Sequence, residues 1–373
     1  MTTLGILGAG QLGRMLALAG YPLGMRFRFF DPAPDAPAKL LADHLTADYG
    51  DTDALRRFAD GVDVITYEFE NVPVETARFL QQFCPVYPPP MALEKGQDRL
   101  VEKNFFRALG IPTPDFAAIS TETDLEPAAA LTGFPAVLKT RRMGYDGKGQ
   151  FTVWNREELA EAFRALNGQP AILEQFIPFE RELSILGVRG RDGEIVFYPL
   201  TENTHREGIL RLSVAPAPRR PQTSQLLAYR QSTQSLAEMY ATALMTALDY
   251  VGVLAIELFQ AGDRLLANEM APRVHNSGHW TLQGAVTSQF ENHVRAVMGL
   301  PLGSTNPLGV TAMVNLIGQI PPLESILKIE GAHLHLYDKA PRPGRKVGHI
   351  NLTARTHDEL LSKAEIIRKL VDG

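Results

Sequence analysis

One cysteine, Cys84, is present among the 373 residues, and a single thiol excludes an internal disulfide framework and a cysteine-rich zinc site. Such low cysteine content is typical of a reducing compartment, so we expect a cytoplasmic protein. Apolar runs are short, and none reaches the roughly 18 to 20 residues of a membrane-spanning helix. We therefore expect no membrane partner.

The sequence also lacks an excess of either charge. It carries 37 Lys and Arg against 42 Asp and Glu, for a net charge of −5, which provides no basic surface for nucleic acid. This balance favours a protein that acts on small molecules and has no nucleic-acid partner. A chain of this length is expected to form roughly two or three domains with a large buried core.

The first motif is a glycine turn, GAGQLG at residues 8–13, between an expected strand and an expected helix. A second expected strand ends at Asp31, close to where a dinucleotide-binding fold places the acid that binds ribose. The motif favours a dehydrogenase, but the same turn also holds other phosphates or packs a helix closely against its sheet. Nothing beyond Asp31 favours hydride transfer.

A third expected strand, 62–69, leads to Glu70. Ligands bind at the carboxyl ends of the strands in open parallel sheets, so Glu70 is a candidate site residue. The alternative is an acid on a solvent-exposed turn.

Lys139 ends an expected buried strand and precedes the segment RRMGYDGKGQ at 141–150. Lys139 and the three cations of this segment, Arg141, Arg142 and Lys148, are thereby close in sequence to three glycines. Backbone N–H groups and positive charge in such a segment can surround a polyphosphate, and the glycines let the loop open. The GxxxxGK[ST] order of a Walker A loop is absent. The alternative is a surface hairpin turn.

A further expected strand, 171–177, leads through a proline to Glu182. A strand followed by a short linker can present backbone groups to an adenine edge, while a nearby carboxylate accepts from ribose hydroxyls. The alternative is an ordinary strand with a charged turn.

Glu257 and Glu269 are expected to face each other across a β-hairpin, in strands 253–259 and 265–270 that are otherwise apolar. An ionised carboxylate in such a strand is costly unless a cation or hydrogen-bond donors compensate it. Hard oxygen ligands without a nearby cysteine favour Mg²⁺, which takes one or two carboxylates together with nucleotide phosphates. The alternative is a solvated hairpin whose glutamates pair with Arg264 and Arg273.

Together these features resemble the ATP-grasp superfamily and, more closely, the N5-carboxyaminoimidazole ribonucleotide synthetase family of purine biosynthesis. Five ordered motifs carry the resemblance across nearly the whole chain, which is far more specific than any one of them. They are GQLGR at 10–14, YEFEN at 67–71, GYDGKGQ at 144–150, the segment 271–281 and RPGRKVGH at 342–349.

The resemblance implies an α/β protein of ATP-grasp architecture. Its parts would be an N-terminal Rossmann-like domain over 1–98, a small α+β lid region over 99–180, and a larger α+β C-terminal domain over 181–373 that holds the metal hairpin. The implied enzyme is an ATP-dependent carbon–nitrogen ligase that carboxylates 5-aminoimidazole ribonucleotide with bicarbonate through carboxyphosphate. Its implied cofactor is Mg²⁺, as two ions, with ATP as co-substrate, and its implied assembly is a homodimer.

The resemblance also assigns roles to individual residues. For ATP these are Lys103, Lys139, Lys148, Glu174, Gln175, Phe176, Ile177, Glu182, His205 and Asn268. For the ribonucleotide they are Gln11, Leu12, Glu70, Tyr145, Lys339, Arg345 and Lys346. For catalysis around bicarbonate and carboxyphosphate they are Arg273, His275, Asn276, Tyr145 and Lys148, and for the metal ions Glu257 and Glu269.

One departure from the family pattern is Met143, which stands where a second glycine is usual and is expected to affect closure of the lid. Two alternatives remain beside the dehydrogenase. A formate-using glycinamide ribonucleotide transformylase shares the architecture, although the uninterrupted run at 145–149 disfavours it. An inactive nucleotide-binding regulator is disfavoured because Glu257, Glu269, Lys139 and Lys148 are all present.

Overall fold

The computed structural model of the protein describes residues 2–144, 149–218 and 232–372. Within these ranges the chain forms three β-sheets, each with helices packed against it. No helix in the same ranges is both long and apolar enough to cross a lipid bilayer.

The N-terminal domain is built on a parallel sheet. Its elements are β1 (Thr3–Leu7), α1 (Gln11–Gly20), β2 (Arg26–Phe30), β3 (Asp43–Leu45), α2 (Thr52–Ala59), β4 (Val64–Tyr67), α3 (Val74–Leu80) and α4 (Pro90–Gly96). The strand order is β3-β2-β1-β4. The central strand β1 is buried on both faces, as its nearly continuous apolar run requires. Helix α5 (Arg99–Ala108) then leads to the second sheet.

The second sheet belongs to the lid, which is antiparallel. Its elements are β5 (Phe116–Ile119), α6 (Leu125–Thr132), β6 (Ala136–Thr140), β7 (Gln150–Val153), α7 (Arg156–Ala165) and β8 (Ala171–Gln175). The strand order is β5-β8-β6-β7. Both helices contribute apolar residues to one core with the sheet, and residues on the opposite face of the sheet, such as Lys139 and Thr152, line a cleft.

The large domain contains the longest sheet. Its elements are β9 (Arg181–Arg189), β10 (Ile195–Phe197), β11 (Thr201–Arg206), β12 (Ile209–Ala215), α8 (Thr233–Ala247), β13 (Gly252–Ala261), β14 (Arg264–Ala271), α9 (Thr281–Gly284), α10 (Gln289–Met298), β15 (Val310–Ile317), α11 (Leu323–Leu327), β16 (Ala332–Leu336), β17 (Lys346–Ala354) and α12 (His357–Asp372). The order is β14-β13-β9-β11-β12-β15-β17-β16, with β10 paired to β9.

The α/β class predicted from the sequence is confirmed, and the predicted elements differ from the observed ones mainly at their ends. The hairpin strands β13 and β14 are longer than predicted. The strand predicted over 171–177 ends at Gln175, because Gln175 is opposite Ala136, where the neighbouring strand β6 begins. The sequence pattern over 224–248 predicts one long amphipathic helix. Helix α8 is described from Thr233 to Ala247, and the predicted start lies outside the described residues.

Candidate active site

The glycine turn at the start of the chain is filled by carboxylates of its own domain. Glu68 is buried and accepts hydrogen bonds from the backbone N–H groups of Gly10 and Gly13, the latter over 2.6 Å. Asp31 accepts from the Ala9 N–H over 2.8 Å. These are the donors with which such a turn would hold a pyrophosphate, so the structure contradicts the dinucleotide interpretation.

A cleft of about 1170 Å³ lies where the N-terminal domain, the lid and the large domain meet. Gln11 and Glu70 line it from the first, Lys139 and Phe176 from the second, and Glu257 from the third. The cleft therefore collects most of the residues that the family resemblance assigns, although they are spread along the whole sequence.

Glu257 and Glu269 are paired directly across the β13–β14 hairpin, and both line the cleft. The register shifts immediately after this pair, so that Leu258 is opposite Ala267 and Asn268 is the additional residue of a β-bulge. A bulge re-aims a side chain that would otherwise alternate to the other face. Asn268 accordingly also lines the cleft.

The two carboxylates have different partners. Arg99 donates to Glu269 over 2.8 Å, and although burial raises the pKa of Glu269, this cation outweighs it and holds the pKa at about 2. Burial and the neighbouring Glu269 raise the pKa of Glu257 to about 7. Arg273, one of the two partners considered from the sequence, pairs directly with Glu70 and acts on Glu269 only as a further nearby charge.

The pair fits a Mg²⁺ site that is completed by its substrate. Among residues 2–144, 149–218 and 232–372, no group of three or more His, Cys, Asp or Glu side chains could hold a metal ion by itself. Two carboxylates with an amide oxygen nearby are the incomplete, hard-oxygen set that Mg²⁺ uses when nucleotide phosphates and water supply the other ligands. The raised pKa of Glu257 indicates a carboxylate that an added cation would stabilise.

Two lysines share one buried carboxylate beside the cleft. Glu174 is 3.0 Å from the Lys139 Nζ and 3.2 Å from the Lys103 Nζ. Burial raises the pKa of Glu174, but the two ammonium groups outweigh it and lower the pKa to about 2. Lys139 also lies 3.4 Å from the Asn268 Oδ1, so its ammonium faces the cleft.

The structure corrects the roles expected of Lys103 and of the Glu174 carboxylate. Lys103 is fully buried and also donates to the Ala267 carbonyl over 3.3 Å, so it does not reach a phosphate in the cleft. Its ammonium holds Glu174, and Glu174 in turn orients Lys139. The side chain of Glu174 therefore holds the Lys139 ammonium in place and does not itself line the cleft.

The residues expected around adenine and ribose divide between two faces. Phe176 lines the cleft, whereas Gln175 and Ile177 line a separate cavity of about 590 Å³, because side chains alternate along an extended segment. Glu182 and His205 both line the cleft and pair with each other over 2.5 Å. Burial lowers the pKa of His205, but Glu182, together with the nearby Glu257 and Glu269, outweighs it and raises the pKa.

Arg273, His275 and Asn276 form a group of polar side chains next to the carboxylate pair. Arg273 pairs with Glu70, whose pKa it lowers against the opposing effect of burial. The His275 Nε2 is 3.4 Å from the Glu257 Oε1, and burial, followed by Arg273, lowers the pKa of His275 to about 3. Both polar atoms of the Asn276 amide are buried and have no hydrogen-bond partner among the described residues, although Asn276 lines the cleft.

A cluster of positive charge from the C-terminal segment also lines the cleft. Lys339, Arg345 and Lys346 all line it, as does Arg342. Lys339 donates to the side-chain oxygen of Gln11, and this contact joins the C-terminal segment to the start of α1. Leu12 also lines the cleft beside this contact.

Tyr145 and Lys148 lie outside the described residues, so their predicted roles stay predictions. Met143 is described, and its φ of 61° is in the left-handed region. Glycine adopts that region at little cost. The glycine that is usual at this position in the family would adopt this backbone conformation without strain, whereas Met143 adopts it at an energetic cost.

The cleft also contains residues that the sequence analysis missed. Arg99 follows Asp98, the N-cap of α5, and becomes relevant only because α5 packs against β14. Phe179 and Phe259 stack with ring centroids 4.8 Å apart and both line the cleft. No local signal in one sequence distinguishes these residues from other surface arginines or core aromatics.

Comparisons with known proteins agree with this arrangement. Residues 1–97 match the ribonucleotide synthetase preATP-grasp domain, residues 104–290 match the ATP-grasp domain, and residues 311–363 match the phosphoribosylaminoimidazole carboxylase C-terminal domain. A curated relative from Pseudomonas aeruginosa, the N5-carboxyaminoimidazole ribonucleotide synthase, is 52% identical over 370 residues that cover 99% of each chain.

Solved structures are similar over the full length. The crystal structure of N5-carboxyaminoimidazole ribonucleotide synthetase from Thermus thermophilus has a TM-score of 0.93 at 57% identity and covers 99% of both chains. That of the synthase from Aspergillus clavatus, in complex with ADP and 5-aminoimidazole ribonucleotide, has a TM-score of 0.90 at 31% identity and covers 100% of this chain and 98% of that chain.

These matches confirm the resemblance found in the sequence and the ATP-grasp architecture that it implied. Fold, cleft geometry and full-length similarity lead to the same conclusion: this chain belongs to the N5-carboxyaminoimidazole ribonucleotide synthase family of the ATP-grasp superfamily.

Proposed function

We propose that this protein is an ATP-dependent carbon–nitrogen ligase of purine biosynthesis. It carboxylates the exocyclic amine of 5-aminoimidazole ribonucleotide with bicarbonate, and it releases ADP and phosphate. The single observation that carries the proposal is that one cleft brings together a carboxylate pair, a phosphate-binding lysine, an anion-binding group and a separate cluster of cations.

The reaction needs activation of bicarbonate, which is a poor electrophile. A bicarbonate oxygen attacks the γ-phosphorus of ATP, the bond from that phosphorus to the ADP oxygen breaks, and carboxyphosphate forms. Carboxyphosphate then delivers CO₂ to the amine, and phosphate leaves. Negative charge accumulates on the reacting atoms in each step, so preorganised hydrogen-bond donors beside them contribute most of the transition-state stabilisation.

The anion-binding group provides such donors. Arg273, His275 and Asn276 hold bicarbonate and carboxyphosphate, and the buried, unpartnered amide of Asn276 supports this assignment. The low pKa of His275 keeps its imidazole neutral near pH 7, so it donates a hydrogen bond without carrying a charge. Lys139 orients the transferring phosphate from the lid side, and Lys148 is proposed to join it from the adjacent loop.

Glu257 and Glu269, with Asn268 nearby, would hold two Mg²⁺ ions, which when bound supply positive charge to the β- and γ-phosphates. Adenine and ribose then lie along Phe176, Glu182 and His205. The backbone of residues 174–177 faces the adenine edge in this proposal, since the side chains of Gln175 and Ile177 point elsewhere.

In this proposal the ribonucleotide lies against the C-terminal cations of the cleft. Lys339, Arg345 and Lys346 bind its 5′-phosphate, and Gln11 and Leu12 contact it from the N-terminal domain. Glu70 and Tyr145 are proposed to lie near the aminoimidazole ring. The 5′-phosphate and the reacting anion are thereby held by different side chains.

Location and assembly are proposed on the same basis. The low cysteine content and the family assignment support a cytoplasmic enzyme, and the family resemblance supports a homodimer. Light scattering coupled to size-exclusion chromatography measures the mass in solution, and a particle of one chain at working concentration would reject the dimer.

Measurement of ADP release with each candidate substrate tests the reaction class. We expect turnover that requires Mg²⁺, 5-aminoimidazole ribonucleotide and bicarbonate together, with one ¹⁸O atom passing from labelled bicarbonate to phosphate. Formate should not replace bicarbonate. Faster ADP release with formate and glycinamide ribonucleotide would establish the transformylase alternative instead.

A further inference from the structure

A chain of buried hydrogen bonds runs through the large domain and ends at His275. Ser213 pairs with Asn203 over 2.8 Å, and Asn203 pairs with Ser184 over 3.1 Å. Ser184 reaches Ser277 over 2.7 Å, and Ser277 reaches the His275 Nδ1 over 2.8 Å. The four residues that precede His275 in this series of hydrogen bonds are all buried: Ser213, Asn203, Ser184 and Ser277.

The sheet register explains why these side chains meet. Ser184 on β9 is directly opposite Glu257 on β13, so the two side chains leave the same face of the sheet. Asn203 and Ser213 are paired in the same way across β11 and β12. The hydrogen-bond chain therefore lies beneath the residues that line the cleft.

Each hydrogen bond in the chain has a direction. The Asn203 Oδ1 only accepts, so the Ser213 hydroxyl donates to it, and the Asn203 Nδ2 only donates, so the Ser184 Oγ accepts from it. The hydrogen of Ser184 is then directed to the Ser277 Oγ. The hydrogen of Ser277 remains for the Nδ1 of His275.

An independent contact gives the same result at the histidine. The backbone N–H of Ser277 also points at the His275 Nδ1, over 3.4 Å, and a backbone N–H can only donate. With two donors aimed at it, Nδ1 is the unprotonated ring nitrogen. The hydrogen of the neutral ring is therefore on Nε2, the atom that is 3.4 Å from Glu257.

We propose that Ser184 and Ser277 are positioning residues that hold His275 in the tautomer with its hydrogen on Nε2, so that His275 serves the reaction as a hydrogen-bond donor and not as a base. The catalytic consequence rests on the function proposed above, because it assumes that negative charge develops beside Nε2. The tautomer itself does not depend on the reaction.

Nitrogen NMR of protein labelled with ¹⁵N in its imidazole rings tests the tautomer directly. The His275 signals are assigned by their loss in His275→Gln. We expect the Nδ1 shift of an unprotonated ring nitrogen and the Nε2 shift of a protonated one. A protonated Nδ1 in the wild-type protein would overturn the proposal, whatever reaction the enzyme catalyses.

Kinetics test the catalytic role. The hydrogen bonds broken in Ser277→Ala and Ser184→Ala are neutral, so we expect kcat to fall roughly 3- to 10-fold while the KM for ATP stays the same. The fall in kcat should accompany partial appearance of protonated Nδ1. Ser184→Thr keeps the hydroxyl and should restore both the rate and the spectrum.

Thr66→Val is the matched control. Its hydroxyl contacts the Nε2 of another buried histidine, His293, over 2.9 Å, and the Nδ1 of His293 accepts from the Val253 N–H over 3.1 Å. His293 is not part of the cleft lining, so this variant should keep its kcat. If Thr66→Val lowered kcat as much as Ser277→Ala, or if neither serine variant changed the His275 signals, the positioning role would be rejected.

Discussion

The side chain of Glu68, which follows β4, packs into the glycine turn at 8–13, and its carboxylate accepts a hydrogen bond from the Gly13 N–H over 2.6 Å. A Cβ atom placed on Gly10 would be 2.5 Å from the Glu68 Oε1. We predict that Gly10→Ala lowers the free energy of unfolding by about 1 to 3 kcal/mol, as overpacking of a tight site does. Urea denaturation measures the change.

Gly24→Ala is a control for glycine replacement away from this contact, because nothing lies within 4 Å of its Cβ position although its φ is +73°. The change in free energy of unfolding of Gly24→Ala should therefore measure the backbone strain alone. If Gly10→Ala were no less stable than the wild type, close packing against Glu68 would not be the reason for the turn.

The carboxylate pair gives the second prediction. Glu269→Gln keeps the size of the side chain but removes a charge that the proposed Mg²⁺ ions require. Turnover should fall by at least the roughly 10²- to 10³-fold that is typical of losing one transition-state electrostatic contact. The Kd for ATP, measured by calorimetry, should change less. A fully active Glu269→Gln enzyme would show that the carboxylate is structural.

The third prediction concerns Arg99, which lines the observed cleft although the sequence did not indicate it as a site residue. Arg99→Ala removes the cation beside Glu269 and should raise the KM for ATP, because the lining then loses positive charge where phosphates are proposed to bind. Arg107→Ala on the same helix is the control, since Arg107 pairs with Asp115 away from the cleft. Equal effects of the two substitutions on KM would reject the assignment.

Glu174 makes stability depend on pH. Its pKa is about 2 in the folded protein against an ordinary value of 4.5, so its stabilisation is present above the ordinary value and is lost as the pH falls toward the folded one. Glu174→Gln leaves two buried ammonium groups without their carboxylate, and breaking such a buried pair costs about 3 to 5 kcal/mol.

Denaturation of wild type and Glu174→Gln across a pH series checks this prediction. The difference in unfolding free energy should be largest near neutral pH and should shrink as the pH falls below 4.5. A difference that stays constant over that range would mean that the variant is destabilised by packing and not by charge.

The two anion sites should respond differently in kinetics. The 5′-phosphate does not react, so its contacts stabilise ground and transition states alike and appear in KM. Arg345→Ala should raise the KM for the ribonucleotide, leave the KM for ATP nearly unchanged and reduce kcat only modestly. His275→Ala should instead lower kcat strongly, because its partner gains charge during the reaction.

Steady-state kinetics with a melting curve for each variant separates this prediction from a structural role. Arg345 also donates to the Ala340 carbonyl over 3.2 Å, so its loss could loosen the C-terminal segment. A lowered melting temperature together with equal changes in both KM values would reject the phosphate site.

The sequence by itself determined the local elements and the chemical character of the cleft. Two largely apolar strands separated by a turn at 261–263 predicted that Glu257 and Glu269 face each other across a hairpin, and the structure places them directly opposite each other. Lys139 was likewise predicted at the end of a strand, and it faces the cleft. Such features follow from period-2 patterning and turn residues, which act over a few positions along the chain.

Tertiary structure alone decided which charges meet. The glycine turn was ambiguous until packing brought Glu68 to Gly10 and Gly13. Packing also placed Arg99 on the cleft and buried Lys103, although both are basic residues on one short helix. Side-chain partners far apart in sequence depend on how whole elements pack, and the low dielectric inside then sets which ionised groups are stable. A single sequence records the charges but not the distances between them.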